Sequence, residues 1–206
     1  MSERRYRAAL FDFGGVLTTP VWDSFSAFCS REGLESDAIK RLFREDPEAL
    51  ALLRRLEKGE ISEPDFERHF GERLGLESPA RLIDSLFEGM RPEDTMVRAV
   101  RDLRAGGIRT GLVSNSWSTG HYDRDLLAEL FDAVVISGEV GLNKPEPEIY
   151  ELAAERVETE PGACLFIDDL RENCEAAEAV GMRAIRHREP GQTIAELAEL
   201  TGVSLG

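Results

Sequence analysis

The stretch Leu10-Phe11-Asp12-Phe13-Gly14-Gly15-Val16-Leu17 decides the fold of this 206-residue chain. It begins as an apolar run, which is typical of a buried strand, and places one carboxylate, Asp12, where that strand should end. Two glycines follow, and a chain uses glycine to turn sharply or to bring its backbone close to a ligand. An ionised aspartate beside a buried strand is unfavourable unless a metal, a cation or backbone N–H groups compensate its charge. The pattern fits a simple turn or part of a site, and the later strand ends decide between them.

The second half of the chain predicts an α/β fold. From Pro92 onward, apolar runs expected to be strands at residues 108–113, 133–136, 163–167 and 182–185 alternate with helical patterns. This alternation is typical of a Rossmann-like parallel sheet with helices on both faces. We therefore expect residues 1–17 and 92–206 to form one core domain.

Between the first strand and Pro92, the periodicity is helical. Apolar residues recur at a spacing of three and four, and six of the ten phenylalanines lie in this part of the chain. Ser62, followed by Glu63-Pro64-Asp65, is predicted to be the N-cap of one helix. Residues 18–91 are therefore predicted to be an inserted helical cap domain with its own small core.

Composition excludes several classes of protein. A formal net charge of −15 argues against nucleic acid and anionic membranes as partners, although a phosphate ester could bind beside a local cation. The three cysteines form neither a disulfide framework nor a zinc motif. The sequence contains neither a signal peptide nor a transmembrane span. We expect a cytoplasmic protein that is a monomer or a homodimer.

Polar residues follow the later strands at positions that match that of Asp12. They are Ser114-Asn115, Lys144 and Asp168-Asp169. Because the carboxyl ends of parallel strands meet at one edge of a sheet, these side chains should converge in one crevice beneath the cap. Each has a simpler explanation: Ser114-Asn115 as a turn, Lys144 as a solvated charge, and Asp169 with Glu172 as a helix capping box. Their joint occurrence, in order, favours a shared site.

The chemistry of this set predicts phosphoryl transfer. Carboxylate oxygens suit Mg²⁺, whose coordination is completed by waters and by a substrate phosphate. With the cation bound, Asp12 stays ionised and is poised to attack phosphorus. Lys144 and Ser114 would hold the phosphoryl oxygens as negative charge spreads over them.

Four motifs resemble those of the haloacid-dehalogenase-like hydrolase superfamily, most of whose members are Mg²⁺-dependent phosphatases. They lie at residues 11–18, 112–115, 144–147 and 166–169, the last together with Asn173. The resemblance covers nearly the whole chain, and the helical insert is similar to the small helical cap of that superfamily. Residues 56–62, 114–117, 140–150 and 181–182 resemble the phosphatase domain at the N-terminus of soluble epoxide hydrolases.

The resemblance implies a role for each matching position. Asp12 would be the nucleophile that becomes an aspartyl-phosphate, Ser114 and Asn115 would contact the phosphoryl group, and Lys144 would neutralise it. The implied ligands of Mg²⁺ are Asp12, the backbone carbonyl of Gly14, and Asp169. Asp168 and Asn173 would order the waters bound to the cation.

One position departs from the pattern of the superfamily. Most of these phosphatases carry a second aspartate two residues after the nucleophile, which protonates the leaving group and later activates water, but this chain has Gly14. General acid–base catalysis contributes about 10²–10⁴-fold. The substrate would therefore have a good leaving group, such as an acyl phosphate, or another group such as His121 or Asp123 would substitute, or turnover would be lost and only ligand binding kept.

Two alternative functions remain open at this point. A 2-haloacid dehalogenase attacks carbon without a metal and also lacks the second aspartate, but such enzymes generally lack the acidic pair Asp168-Asp169. A non-catalytic ligand-binding protein on the same fold has no need to keep Asp12, Lys144 and Asp169 together. The phosphatase is therefore favoured.

Substrate selection should come from residues that face the crevice. We expect Trp117 and His121 to contact the substrate, together with the turn at residues 58–62. Trp22 is a weaker candidate, because it fits a core position better.

Overall fold

The computed structural model of the protein describes residues 4–206, which contain one five-stranded parallel sheet in the order β3-β2-β1-β4-β5. The strands are β1 (Ala8–Phe11), β2 (Arg109–Ser114), β3 (Ala133–Ile136), β4 (Cys164–Asp168) and β5 (Arg183–Arg186). The four later strands lie within one residue of their predicted bounds. β1 pairs with β2 on one side and β4 on the other, so Asp12 follows the central strand. The predicted Rossmann-like parallel sheet is confirmed.

Helices cover both faces of this sheet. They are α6 (Asp94–Ala105), α7 (Arg124–Leu130), α8 (Ser137–Val140), α9 (Pro147–Arg156), α10 (Arg171–Ala179) and α11 (Pro190–Thr201). Phe11 of β1 packs with side chains of α6, α7 and α11 on one face, whereas Leu10 packs with side chains of α9 and α10 on the other. Because both faces are buried, the strands are continuous apolar runs rather than alternating ones.

A group of five helices follows β1, and we call it the helical insertion. It consists of α1 (Val21–Arg31), α2 (Ala38–Glu45), α3 (Pro47–Glu57), α4 (Glu63–Leu74) and α5 (Leu82–Phe87). These helices bury a cluster of their own, which includes Phe25, Phe28, Ile39, Phe66 and Phe70. The helix start predicted at Ser62 is confirmed, because its hydroxyl accepts a hydrogen bond from the N–H of Asp65.

The chain passes into and out of the insertion through two adjacent segments. The N–H of Thr19 donates to the carbonyl of Arg91 at 2.8 Å, and the N–H of Glu93 donates to the carbonyl of Leu17 at 2.8 Å. These bonds hold the two connections side by side. The boundaries predicted for the two domains stay a prediction, and residues 1–3 of the first lie outside the described residues.

Two further features bear on the composition of the chain. Cys29, Cys164 and Cys174 are buried free thiols. Among residues 4–206, no helix has both the length and the apolar character needed to cross a membrane.

Candidate active site

The structure brings the predicted polar residues together at the carboxyl edge of the sheet. Asp12 follows β1, Ser114 is the last residue of β2, and Asp168 is the last residue of β4. Lys144 reaches them from the loop that follows α8. Since β1 lies between β2 and β4, the ends of these three strands are direct neighbours.

Lys144 lies at the centre of this group. Its Nζ is 2.6 Å from Asp12 Oδ1 and 2.8 Å from Asp168 Oδ2, and only 4% of the residue is exposed. Burial opposes the charge on Lys144, but the two carboxylates raise its pKa well above the ordinary value. The ammonium group is therefore held in its charged form, and a solvated loop charge is excluded.

Asp168 is fully buried, and both of its carboxylate oxygens have several partners. Oδ1 accepts a hydrogen bond from the N–H of Leu170 at 2.8 Å, and Nδ2 of Asn173 lies 3.1 Å from Oδ1 and 3.0 Å from Oδ2. Asp168 therefore supports the first turn of α10, which has no side-chain cap of its own. The capping box considered for Asp169 and Glu172 does not form, so the Asp169 side chain is left to face the cavity.

The carboxylates of Asp12, Asp168 and Asp169 form a cluster whose oxygens lie within 4.8 Å of one another. Burial raises the pKa of Asp12 to about 7, although Lys144 lowers it, and burial together with Asp168 raises the pKa of Asp169 to about 6. Negative charge at this edge is thus incompletely balanced by Lys144. An oxygen-only donor set with excess negative charge fits a hard divalent cation.

The turn after Asp12 brings backbone against this cluster. Gly15 has a φ of +81°, a conformation that favours glycine, and a Cβ at this position would lie 3.0 Å from Asp169 Oδ2. Gly14 lines the cavity, and a Cβ there would lie 2.8 Å from Cγ2 of Val21 on α1. A side chain at position 14 would therefore require the Val21 methyl group to shift.

The residues after β2 position the lysine loop. The Asn115 amide donates through Nδ2 to the carbonyl of Lys144 at 3.0 Å, and its Oδ1 accepts from the N–H of Lys144 at 2.8 Å. The buried Ser114 hydroxyl lies 2.8 Å from the Tyr122 hydroxyl. Burial raises the pKa of Tyr122 to about 12, so this phenol remains protonated.

Glu57, the last residue of α3, also reaches the site from the helical insertion. Its Oε2 accepts hydrogen bonds from Nδ2 of Asn143 at 3.0 Å and from Nδ2 of Asn115 at 3.3 Å. Burial raises the pKa of Glu57 to about 7. Glu57, Asn143 and Tyr122 were not predicted as site residues, although Glu57 and Asn143 lie in stretches that carry the family resemblance. Glu57 lies in a charged helix end, which alone indicates a solvated surface.

A cavity of about 750 Å³ lies between the carboxyl edge of the sheet and the helical insertion. Asp12, Ser114, Lys144 and Asp169 line it at its polar end. Much of the remaining wall is apolar and includes Val21, Trp22, Phe25, Leu53, Phe87 and Leu126. The arrangement suits a ligand with an anionic head and an apolar body.

Trp117 and His121, the two residues predicted to contact substrate, both line this cavity. The Trp117 ring also packs among aromatic rings of the insertion, with its centroid 5.1 Å from Phe25 and 5.5 Å from Phe66. His121 Nε2 lies 2.8 Å from Asp84 Oδ1 on α5. Both residues thus link the loop after β2 to the insertion, and their contact with substrate stays a prediction.

Two other sequence-based candidates occupy different positions. Trp22 is half-buried, lines the cavity and packs edge-on against Phe25. Asp123 is the N-cap of α7, where its Oδ1 accepts from the N–H groups of Asp125 and Leu126. Because its carboxylate is engaged in this cap, Asp123 is a poor substitute for a proton donor.

Comparison with known proteins agrees with this geometry. The sequence matches the haloacid dehalogenase-like hydrolase family over residues 6–181. It is similar to sesquiterpene phosphatase astK of Aspergillus oryzae, with 28% identity over 210 residues that cover 96% of this chain and 97% of that protein.

Two longer proteins each contain a similar segment. Acyl-CoA dehydrogenase family member 10 of Mus musculus is 29% identical over 98% of this chain, and bifunctional epoxide hydrolase 2 of Sus scrofa is 27% identical over 97% of it. The chain spans only 20% of the first protein and 39% of the second. The predicted similarity to epoxide hydrolases is confirmed.

Solved structures share the fold. An enzyme of the same family from Bacteroides thetaiotaomicron, in complex with magnesium and inorganic phosphate, has a TM-score of 0.65 at 22% identity and covers 89% of this chain and 94% of its own. A dehalogenase with an intermediate complex has a TM-score of 0.69 at 18% identity, with 96% and 98% covered. At these identities, the likeness shows the fold alone.

Proposed function

The chain belongs to the haloacid dehalogenase-like hydrolase family, and on that premise we propose that it is a Mg²⁺-dependent phosphohydrolase that forms an aspartyl-phosphate on Asp12. The observation that carries this proposal is the buried ammonium group of Lys144, which binds Asp12 and Asp168 beside the further carboxylate of Asp169. This group combines a nucleophile, a fixed cation and an oxygen-rich metal site in one crevice.

Each residue of the site has a separate role in phosphoryl transfer. Asp12 attacks phosphorus while the bond from phosphorus to the leaving oxygen breaks. Lys144 and Ser114 hold the phosphoryl oxygens, and Asn115 contacts the same group while it fixes the Lys144 backbone. Because Lys144 is already paired with Asp12, the positive charge is in place before the substrate binds.

The metal-binding residues are proposed from the same geometry. Mg²⁺, when bound, supplies positive charge that keeps Asp12 ionised and balances the phosphoryl oxygens. Asp12, the carbonyl of Gly14 and Asp169 would hold it. Asp168, whose oxygens already bind Lys144 and Asn173, would order waters together with Asn173.

We infer that the substrate is a small phosphate ester whose leaving group has a hydrocarbon body. The apolar wall of the cavity, which includes Val21, Phe25 and Phe87, supports this inference. The relative from Aspergillus oryzae is named a sesquiterpene phosphatase, which is consistent with a ligand of this type. With Gly14 in place of an acid, good leaving groups would be favoured unless another side chain supplies the proton.

The test is phosphate release from a panel of alkyl, aryl and acyl phosphates, with Mg²⁺ and then with excess EDTA. We expect release that needs Mg²⁺ and falls at least about 10³-fold in Asp12→Asn, because the nucleophile is lost. Asp23→Asn, on an exposed position of α1, is the matched control and should retain activity. Chloride release from 2-chloropropionate that persists in EDTA, without phosphate release, would instead identify a dehalogenase.

A further inference from the structure

We propose that Glu57 of the helical insertion donates the proton to the leaving group and later accepts a proton from the attacking water, in place of the side chain that Gly14 lacks. The proposal rests on the phosphohydrolase function proposed above. It adds a residue from the insertion to a site that is otherwise built by the sheet.

Glu57 is held in a fixed position relative to the reacting group. It is 8% exposed and lines the same cavity as Asp12 and Lys144. Its two amide partners are Asn115 and Asn143. Asn115 directly follows Ser114 in the sequence, and Asn143 directly precedes Lys144. The carboxyl group is therefore tied to both loops that flank the phosphoryl position.

One oxygen of Glu57 is available for proton transfer. Oε2 accepts both amide hydrogen bonds, whereas Oε1 has no partner among residues 4–206. Since no buried side-chain oxygen in the described chain lacks a partner, Oε1 must keep some exposed surface, and Glu57 lines the cavity. A proton on Oε1 would then be available to a ligand in the cavity that Asp12 and Lys144 also line.

The charges around Glu57 suit a group that gains and loses a proton near neutral pH. On its own helix, Arg54 is exposed, and the next residue, Lys58, pairs instead with Glu146 at 2.5 Å. From the core, Lys144 faces it, but that ammonium group is bound to Asp12 and Asp168. Burial without a partner cation raises the pKa of Glu57 to about 7, which is the range where general acids and bases work best at neutral pH.

Other candidates for this role are less suitable. His121 is paired with Asp84, and 42% of its side chain is exposed. Asp123 caps α7. Position 14 itself carries no side chain, and a Cβ there would have to displace a methyl group of Val21.

Protonated Glu57 gives its proton to the leaving oxygen as the P–O bond breaks and Asp12 bonds to phosphorus, which yields the alcohol, the aspartyl-phosphate and the Glu57 carboxylate. In the second half, water bonds to phosphorus and loses one proton to Glu57. The bond from Asp12 to phosphorus breaks, phosphate leaves, and Glu57 is protonated again.

The test compares Glu57→Gln with wild type on phenyl phosphate and 4-nitrophenyl phosphate, in Mg²⁺. Glutamine can accept the same amide hydrogen bonds but cannot donate a proton as an acid. We expect kcat for phenyl phosphate, a poor leaving group, to fall about 10²–10³-fold, and kcat for 4-nitrophenyl phosphate to fall less than about 10-fold. The alkaline limb of the wild-type pH profile with phenyl phosphate should disappear. Glu63→Gln, on an exposed position at the start of α4, is the control and should match wild type.

Each other outcome is informative. Equal losses on both esters would mean that Glu57 only positions Asn115 and Asn143, and an unchanged kcat on both would mean that it has no role; either result overturns the proposal. If Asp12→Asn is inactive while Glu57→Gln equals wild type, the phosphohydrolase function stands and only Glu57 is rejected. If wild type releases phosphate from neither ester nor from acyl phosphates, the function fails, and the role of Glu57 fails with it.

Discussion

Glu57 also has a consequence for stability that does not depend on catalysis. Its pKa rises from 4.5 to about 7 on folding because the folded chain buries it. The folded protein therefore binds this proton more tightly than the unfolded chain, and stability should fall as pH rises from about 4.5 to about 7. Glutamine carries no charge and escapes this loss.

We expect Glu57→Gln to be more stable than wild type at pH 8, by up to about 3 kcal/mol in the free energy of unfolding, and to lose this advantage at pH 5. Urea unfolding in EDTA at the two pH values measures the difference. Glu60→Gln should show no such change, since that side chain is exposed. If the free energy of unfolding differs between Glu57→Gln and wild type by the same amount at both pH values, folding does not bury a charged Glu57, and the prediction is wrong.

Gly14 illustrates a different constraint at the residue scale. Its backbone does not have the left-handed conformation of Gly15, so a side chain is opposed by the Val21 methyl group rather than by the backbone. We expect Gly14→Asp alone to lose about 1–3 kcal/mol of stability and to gain no activity on phenyl phosphate. Adding Val21→Ala should recover part of that stability and allow the new acid to act.

The comparison uses thermal unfolding and phenyl phosphate turnover for Gly14→Asp, Val21→Ala and the double variant. The single Val21→Ala variant shows the effect of the smaller side chain at position 21 alone, which can then be separated from the effect of the new carboxyl group. If the Gly14→Asp protein is as stable as wild type, the Val21 side chain moves at little cost. The expected loss of stability through contact with Val21 would then be wrong.

At the scale of elements, the position of the site could be predicted because it follows from strand order. Asp12, Ser114 and Asp168 end three neighbouring parallel strands, so an apolar run followed by a polar residue locates each of them. Glu57 could not be located in this way. Its place depends on how the end of α3 packs against loops more than 50 residues away in sequence, and no local pattern encodes that contact.

Trp117 shows how these elements are held together. It belongs to the loop after β2, yet its ring packs against phenylalanines of the insertion, including Phe25, Phe66 and Phe87. Trp22 makes a single aromatic contact, with Phe25, and is half-buried on α1. The loop after β2 is therefore anchored in the core of the insertion.

We expect Trp117→Ala to lower the free energy of unfolding by about 3–5 kcal/mol, because it empties a site among five aromatic rings. Trp22→Ala removes the same side chain from a position that is also half-buried but packs against one aromatic ring, that of Phe25, and it should cost clearly less. Urea unfolding followed by circular dichroism measures both. Equal costs would mean that Trp117 contributes no more to the docking of the insertion than a peripheral tryptophan does.

At the scale of the whole molecule, two sources of negative charge must be separated. The chain carries a formal net charge of −15, so its surface attracts divalent cations in a diffuse way. The cluster of Asp12, Asp168 and Asp169 is different, because its oxygens lie within 4.8 Å of one another and burial raises the pKa of two of its members. Replacing a single carboxylate should therefore abolish Mg²⁺ binding at the cluster, whereas replacing a single exposed charge should leave diffuse binding unchanged.

Thermal unfolding with and without Mg²⁺ separates the two. A ligand that binds only the folded state at 100 times its Kd adds about 2.7 kcal/mol, which for a chain of this length raises Tm by about 5–10 °C. We expect such a rise in wild type and in Asp23→Asn, where an exposed charge is removed, and its loss in Asp169→Asn. Because Asp169 makes no contact with Lys144, its replacement leaves the buried ion pairs intact. A rise that survives in Asp169→Asn would place Mg²⁺ on the acidic surface instead, and the metal site proposed at the carboxyl edge would be wrong.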